Sequence, residues 1–196
     1  MFDNIDSFLA RSQDNTSVKY MVLYPFDSDP GTYELWDKVG QMVGNFTELK
    51  AIVIHFLPHP DEDDGTIHRP DWETLTRILP YVRHKVALWL SAEDYDAEVE
   101  EMQGLTRAIH GHPMISVFSS QGWVTFENFD SWCSTLATLP SLEDIQFVLR
   151  QPETEEQRVL LNVEPLKELL RTPDLRFVGS VAFISPTNSV MQRPMH

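Results

Sequence analysis

Six short apolar runs recur along the chain, opening at Val18 (VKYMVLY), Leu49 (LKAIVIHF), Lys85 (KVALWLS), Met114 (MISVFSS), Leu142 (LEDIQFVL) and Leu175 (LRFVGSV). Their starts lie 31, 36, 29, 28 and 33 residues apart. With the first residue of each run as position 1, positions 4 and 6 read Met21 and Leu23, Ile52 and Ile54, Leu88 and Leu90, Val117 and Ser119, Ile145 and Phe147, and Val178 and Ser180. Only the two serines break an apolar pattern of period two, which predicts a strand with one covered face in each run. The preceding segments carry a different period. Val39, Met42, Val43 and Phe46, then Leu75, Ile78, Leu79 and Val82, then Leu166, Leu169 and Leu170 fall three and four residues apart, the stripe of an amphipathic helix. Pro113, Pro140 and Pro173 stand just before strand runs, where a missing N–H ends a helix.

A helix-plus-strand unit repeated about every thirty residues predicts units that stack because none can bury its apolar face alone. The pattern resembles the leucine-rich repeat family, in its longer, ribonuclease-inhibitor-type form. LEDIQFVL and LKAIVIHF match the family's LxxLxL core, and TLATLPSLEDI and LKELLRTPDLRFV resemble its helix-to-strand joint. The family's Asn or Cys, three residues past the last core position, would fall at Phe26, Leu57, Glu93, Gly122, Arg150 and Phe183, and none is Asn or Cys. Loops without that ladder must satisfy their backbone groups otherwise. The expectation is therefore an α/β fold: a leucine-rich-repeat-like solenoid of about six helix–strand units with a parallel sheet. A doubly wound α/β domain is the alternative. The repeat domain is expected over residues 1–184, with a C-terminal tail at 185–196. MFDNIDSFLARS is expected to add a short first helix, and the array is either part of a longer one or closed by a second copy.

In this register, positions 3, 5 and 7 point away from the core. The expected partner-binding patch is Tyr24, Val53, His55, Trp89 and Phe118, aromatic and apolar groups rimmed by polar ones. The competing reading makes Trp89 and Phe118 core residues of a sheet covered on both faces. The same competing reading makes Tyr20, Tyr24 and Tyr33 packing groups rather than ligands. The expected function is a non-catalytic protein-binding module. The resemblance also implies an alternative, the substrate-receptor part of a ubiquitin ligase of the F-box type, although no F-box bundle is visible in the sequence.

Composition narrows the partner. Among 196 residues the formal net charge is −15. Asp61–Asp64, Glu93–Glu101 and Glu153–Glu156 concentrate the acid after strand runs, which disfavours nucleic acid; the clusters are read first as a solvated face with acids complementing helix N-termini, and alternatively as a surface that steers a basic protein partner. No apolar run is long enough to span a membrane, and no secretory signal is seen. One cysteine, Cys133, allows no internal disulfide, and its place in a helical stripe predicts a small buried hydrophobe. A reduced cytoplasmic or nuclear setting is expected.

One segment points to chemistry. In AIVIHFLPHPDEDDG an apolar strand runs into HPDED, which looks like the HPDDE motif of LmbE-type zinc-dependent amide deacetylases. The resemblance would give His59, Asp61 and Glu62 or Asp63 the roles of ligands and base, and makes such a deacetylase a second alternative. The acidic order differs, and the HxxH that would complete the zinc site is missing. HPDEDDGTIHRP is instead read as the insertion that lengthens one unit to 36 residues. Neither a cofactor nor a resident metal is expected. His84, His110 and His112 are expected to be surface or capping groups.

Overall fold

A computed structural model describes residues 16–24, 33–56, 59–60, 67–68, 73–92, 99–121, 128–150, 164–172, 174–175, 177–178 and 182–184. Each of the six apolar runs contains strand: β1 (Tyr20–Leu23), β2 (Ala51–Phe56), β5 (Val86–Ala92), β6 (Ile115–Gln121), β7 (Asp144–Arg150), and the last run the short β8 (Phe177–Val178), followed by β9 (Ala182–Ile184). The helices α1 (Tyr33–Val43), α2 (Glu73–Ile78, continued by a 3-10 turn at Leu79–Tyr81), α3 (Val99–Ile109), α4 (Phe129–Leu136) and α5 (Glu164–Leu169) alternate with them. A two-residue pair, β3 (His59–Pro60) and β4 (Ile67–His68), lies in the longest unit.

All strands of the main sheet pair in parallel, in the order β1-β2-β5-β6-β7, with β8 and β9 both on the outer side of β7. A doubly wound sheet reverses its strand order at a switch point, and this order follows the sequence throughout, which sets that alternative aside. Because parallel crossovers keep one hand, an unreversed order puts every connecting helix on the same face. The helices neighbour one another in sequence order too, α1 to α2, α2 to α3, α3 to α4 and α4 to α5.

Between the two layers lies one continuous core. Two rows of strand side chains supply its floor: Met21–Ile52–Leu88–Phe118–Ile145 and Leu23–Ile54–Leu90–Ser120–Phe147. Val39, Met42 and Val43, then Leu75 and Ile78, then Leu105 and Ile109, then Trp132, Cys133 and Leu136, then Leu169 close it from the helix side. The helical stripes read from sequence are thus the buried ones. Leu170 departs from its stripe: α5 ends at Leu169, and Leu170 turns out to solvent.

The joints between units are braced by polar groups at recurring places. His84 donates from Nε2 to the Leu49 carbonyl of the preceding unit (2.8 Å). His112 accepts the Met114 N–H at Nδ1 (3.2 Å), so its proton sits on Nε2, which donates to the Leu79 carbonyl (2.9 Å). Both histidines therefore satisfy backbone carbonyls across unit boundaries, while His110 is exposed. Gly111, at φ 65°, lets the chain turn left-handed after α3. Its N–H donates to the Thr138 hydroxyl (2.8 Å), which in turn donates to the Thr135 carbonyl (2.6 Å) at the end of α4.

Helices α1 and α2 approach especially closely. A Cβ on Gly40 would stand 2.4 Å from the Arg77 carbonyl oxygen and 2.6 Å from the Tyr81 ring, so only glycine permits the contact. Nη1 of Arg77 donates to both oxygens of Asp37 (2.8 and 2.9 Å), and the guanidinium lies 4.5 Å over the Tyr33 ring. Tyr33 is therefore a packing group, as expected.

Candidate protein-interaction surface

The side chains between the core rows occupy the face opposite the helices. Strand pairing arranges them in three rows: Tyr20–Ala51–Ala87–Val117–Asp144, Val22–Val53–Trp89–Ser119–Gln146, and His55–Ser91–Gln121–Val148, which Tyr24 meets at its β1 end. On β1, just past its end and on β5 this face holds four exposed large hydrophobic groups: Tyr20 (61%), Val22 (51%), Tyr24 (44%) and Trp89 (43%). Between them on β2 stand Val53 and His55, both half-buried. The Tyr24 and His55 rings meet edge to face at 5.5 Å, a geometry that matches ring edge to ring face.

Four of the five residues expected in the patch therefore share it: Tyr24, Val53, His55 and Trp89. Phe118 does not. It is fully buried on the helix side, 5.0 Å from the Trp132 ring and 6.2 Å from that of Phe147. The cause is a register shift at the start of β6. Val86 pairs with Ile115, but the next residue, Ala87, pairs with Val117, so Ser116 is an extra residue in the ladder. One extra residue reverses which side chains face the core. Phe118 and Ser120 turn inward, while Val117, Ser119 and Gln121 turn outward. The apolar break at Ser119 in the expected register was the trace of this shift.

Tyr20 and Val22 belong to the surface although the expected patch omitted them. Both sit at outward positions of the same alternation, so the register itself was the signal for them. Toward β6 and β7 the face changes character: Ser119 reaches Gln146 Oε1 (3.4 Å), and Gln121 is exposed. Ion pairs Lys19–Glu48 (3.7 Å) and Lys85–Glu143 mark the start of the strands, and at such exposure they stabilise little.

Other candidate chemistry is thin. Cys133 is buried, and burial first, then the neighbouring Asp130 charge, pushes its thiol up to about 12. It is a packing group rather than a nucleophile at neutral pH. Among the described residues no cluster of three or more His, Cys, Asp or Glu is placed to hold a metal ion, and no helix is long and apolar enough to cross a membrane. Of the HPDED segment, Asp61, Glu62 and Asp63 lie outside the described residues, as do the N-terminal helix and the tail 185–196.

No family model matches this chain, and no curated protein matches it in sequence. Among solved structures it is similar to the actin-binding site 2 of leiomodin-1, with TM-score 0.42 and 11% identity over 87% of this chain and 90% of that one. It is also similar to the tropomodulin C-terminal domain of Caenorhabditis elegans, with TM-score 0.41 and 12% identity over 85% and 93%. Neither likeness is close enough to bear on fold or partner. The α/β architecture stands on the strand pairing itself.

Proposed function

We propose that this chain is a non-catalytic protein-binding module of about six leucine-rich-repeat-like units, whose helix-free, curved sheet face docks a protein partner. The observation that carries the reading is the run of exposed Tyr20, Val22, Tyr24 and Trp89 beside Val53 and His55 on three adjacent strands. Exposed aromatic groups on a rigid support lose little entropy on binding, which is why they anchor interfaces. The net charge of −15 supports a basic partner drawn in by long-range attraction, within the cytoplasm or nucleus. Nothing observed favours the ubiquitin-ligase or deacetylase alternatives over this one.

A photo-crosslinking residue placed at Trp89 and, separately, at Gln146 tests it in cells. The reading requires a defined set of crosslinked proteins from position 89, sparse ones from 146, and loss of the first set when Tyr20 and Tyr24 are changed to Ser. Equal labelling from both positions would overturn it.

A further inference from the structure

Strand β1 stands at one end of the main sheet, and among the described residues nothing pairs with its outer side. The joint with β2 fixes which way its backbone faces. The Lys19 carbonyl accepts the Lys50 and Ala51 N–H groups, so Lys19 faces β2, and residues two apart along a strand face the same way. Met21 and Leu23 therefore also face β2, while the N–H and C=O of Tyr20 and Val22 point out of the sheet. The same two residues expose their side chains on the open face. Natural sheets blunt such an edge with a charge, a proline or a bulge. Here β1 and the residue after it read Tyr20-Met21-Val22-Leu23-Tyr24, without charge or proline, and the pairing with β2 runs without a shift. In a chain of net charge −15, an uncharged edge is where a like-charged copy can approach.

We propose that β1 is a self-pairing edge: a second copy of this chain adds its own β1 antiparallel to the first, about a two-fold axis through Val22. The sequence of the edge selects this occupant and this register. Tyr–apolar–Val–apolar–Tyr reads alike in both directions, which is the self-complementarity that a two-fold contact needs. Pairing centred on Val22 sets Val22 opposite Val22 of the second copy, Met21 opposite Leu23, and Tyr20 opposite Tyr24, the last two pairs each occurring twice. A centre one residue away would leave tyrosines unmatched and set Lys19 against Leu23. The tyrosine pairs lie on the open face, where aromatic cross-strand pairs stabilise a ladder. Because the N–H and C=O of Val22 both point outward, the two Val22 residues exchange both hydrogen bonds.

The pairing closes the first end of the array and sets two open faces side by side, with both helix layers behind them. The central outward row then runs from Trp89 through Val53 and Val22 into the same three residues of the second copy. The dimer does not depend on what docks on that face, but a docked partner would meet two copies of the patch at once.

Analytical ultracentrifugation of the full chain across a wide range of concentration tests the edge. The mass should rise from 22.6 kDa toward twice that value. Added salt should strengthen the dimer, because like-charged copies repel until screened, whereas it should weaken capture of a basic partner, so the two readings fail separately. Val22→Lys and Val22→Glu, at an exposed position, should each weaken the dimer by about fivefold or more, and an equimolar mixture of the two should restore it. Under mild oxidation Val22→Cys should give a disulfide-linked dimer, since self-opposed Cα atoms lie within bridging distance and the buried Cys133 does not compete. Trp89→Cys, on the same face but two strands in, should not. A single mass at every concentration overturns the pairing. So does a dimer that salt weakens, one that survives Val22→Lys, or one linked through Trp89→Cys in place of Val22→Cys.

Discussion

The two faces of one sheet are built from the same strands, yet they obey different rules. On the helix side Leu88 and Leu90 are buried in a core shared with four other strands and five helices; between them, Trp89 is 43% exposed on the other side. Hydrophobicity does not separate these residues, since Val22 and Trp89 are as apolar as the groups they alternate with. What separates them is the helix layer. Strands that follow one another in sequence order receive all their crossovers on one face, so a single face is covered and the opposite one is left to meet something else. The converse case is Ser120, a polar residue fully buried in a row of leucine and phenylalanine, its hydroxyl without a hydrogen-bond partner.

The strongest way to break this comparison is to truncate one large ring on each face of neighbouring strands. Phe118→Ala should cost about 3–5 kcal/mol, because it empties a fully packed site. Trp89→Ala should change stability by less than about 0.5 kcal/mol while weakening partner capture by the otherwise unmodified chain. Urea unfolding of both variants decides it, and equal losses would mean that the sheet is covered on both faces.

Perturbing the covering layer comes next in size. Gly40→Ala should destabilise by about 1–3 kcal/mol, since the added methyl meets a backbone carbonyl that moves only with its helix. Gly111→Ala, whose added methyl meets nothing within 4 Å, should cost only the left-handed backbone preference, about 1 kcal/mol. Thermal unfolding of the two side by side separates close packing from backbone strain.

A pH titration probes the same layer through Cys133. Its thiol is pushed up to about 12 in the folded chain, against an ordinary value of 9.0. Between those values the unfolded chain releases the proton and the folded chain keeps it. Stability must then fall as pH rises from about 9 toward 12, by at most about 1.4 kcal/mol per pH unit from this group. Cys133→Ala should flatten that part of the stability curve, and an unchanged slope would show the thiol to be better solvated than its burial implies.

The smallest effect is also the most diagnostic of register. Ser120→Ala should leave stability unchanged or raise it by about 1 kcal/mol, because a buried hydroxyl without a partner is removed. Ser119→Ala, on the open face, should stay within about 0.5 kcal/mol. A marked loss for Ser120→Ala would place that hydroxyl in a hydrogen bond and reverse the reading of β6.

Much of this architecture was legible along the chain. Each apolar run contains strand, and the helical stripes expected up to Phe46, Val82 and Leu170 became the buried edges of α1, α2 and α5, because periods of two and of 3.6 are local properties of a strand and a helix. Those helices end earlier, at Val43, Ile78 and Leu169, and Leu170 is exposed. The alternation assigned Trp89 and Tyr24 to the outward rows for the same reason. The error at Phe118 arose where a local rule failed: an extra residue at Ser116 is absorbed only because β5 fixes the pairing on one side and β7 on the other. Tyr20 shows the opposite limit, a tyrosine expected to pack although its place in the alternation was outward.

The sequence by itself determined the units, their order and the two-sided character of each strand, since these follow from side-chain spacing within about thirty residues. Only the tertiary structure decided the rest: that the strands pair in an unreversed order, that β6 slips by one, and that Gly40 brings two helices into backbone contact. Those outcomes depend on which segments become neighbours across unit boundaries, and the free energy that selects them belongs to the shared core rather than to any one segment. The same holds for the open face, whose exposed rings are defined by where the helices are not.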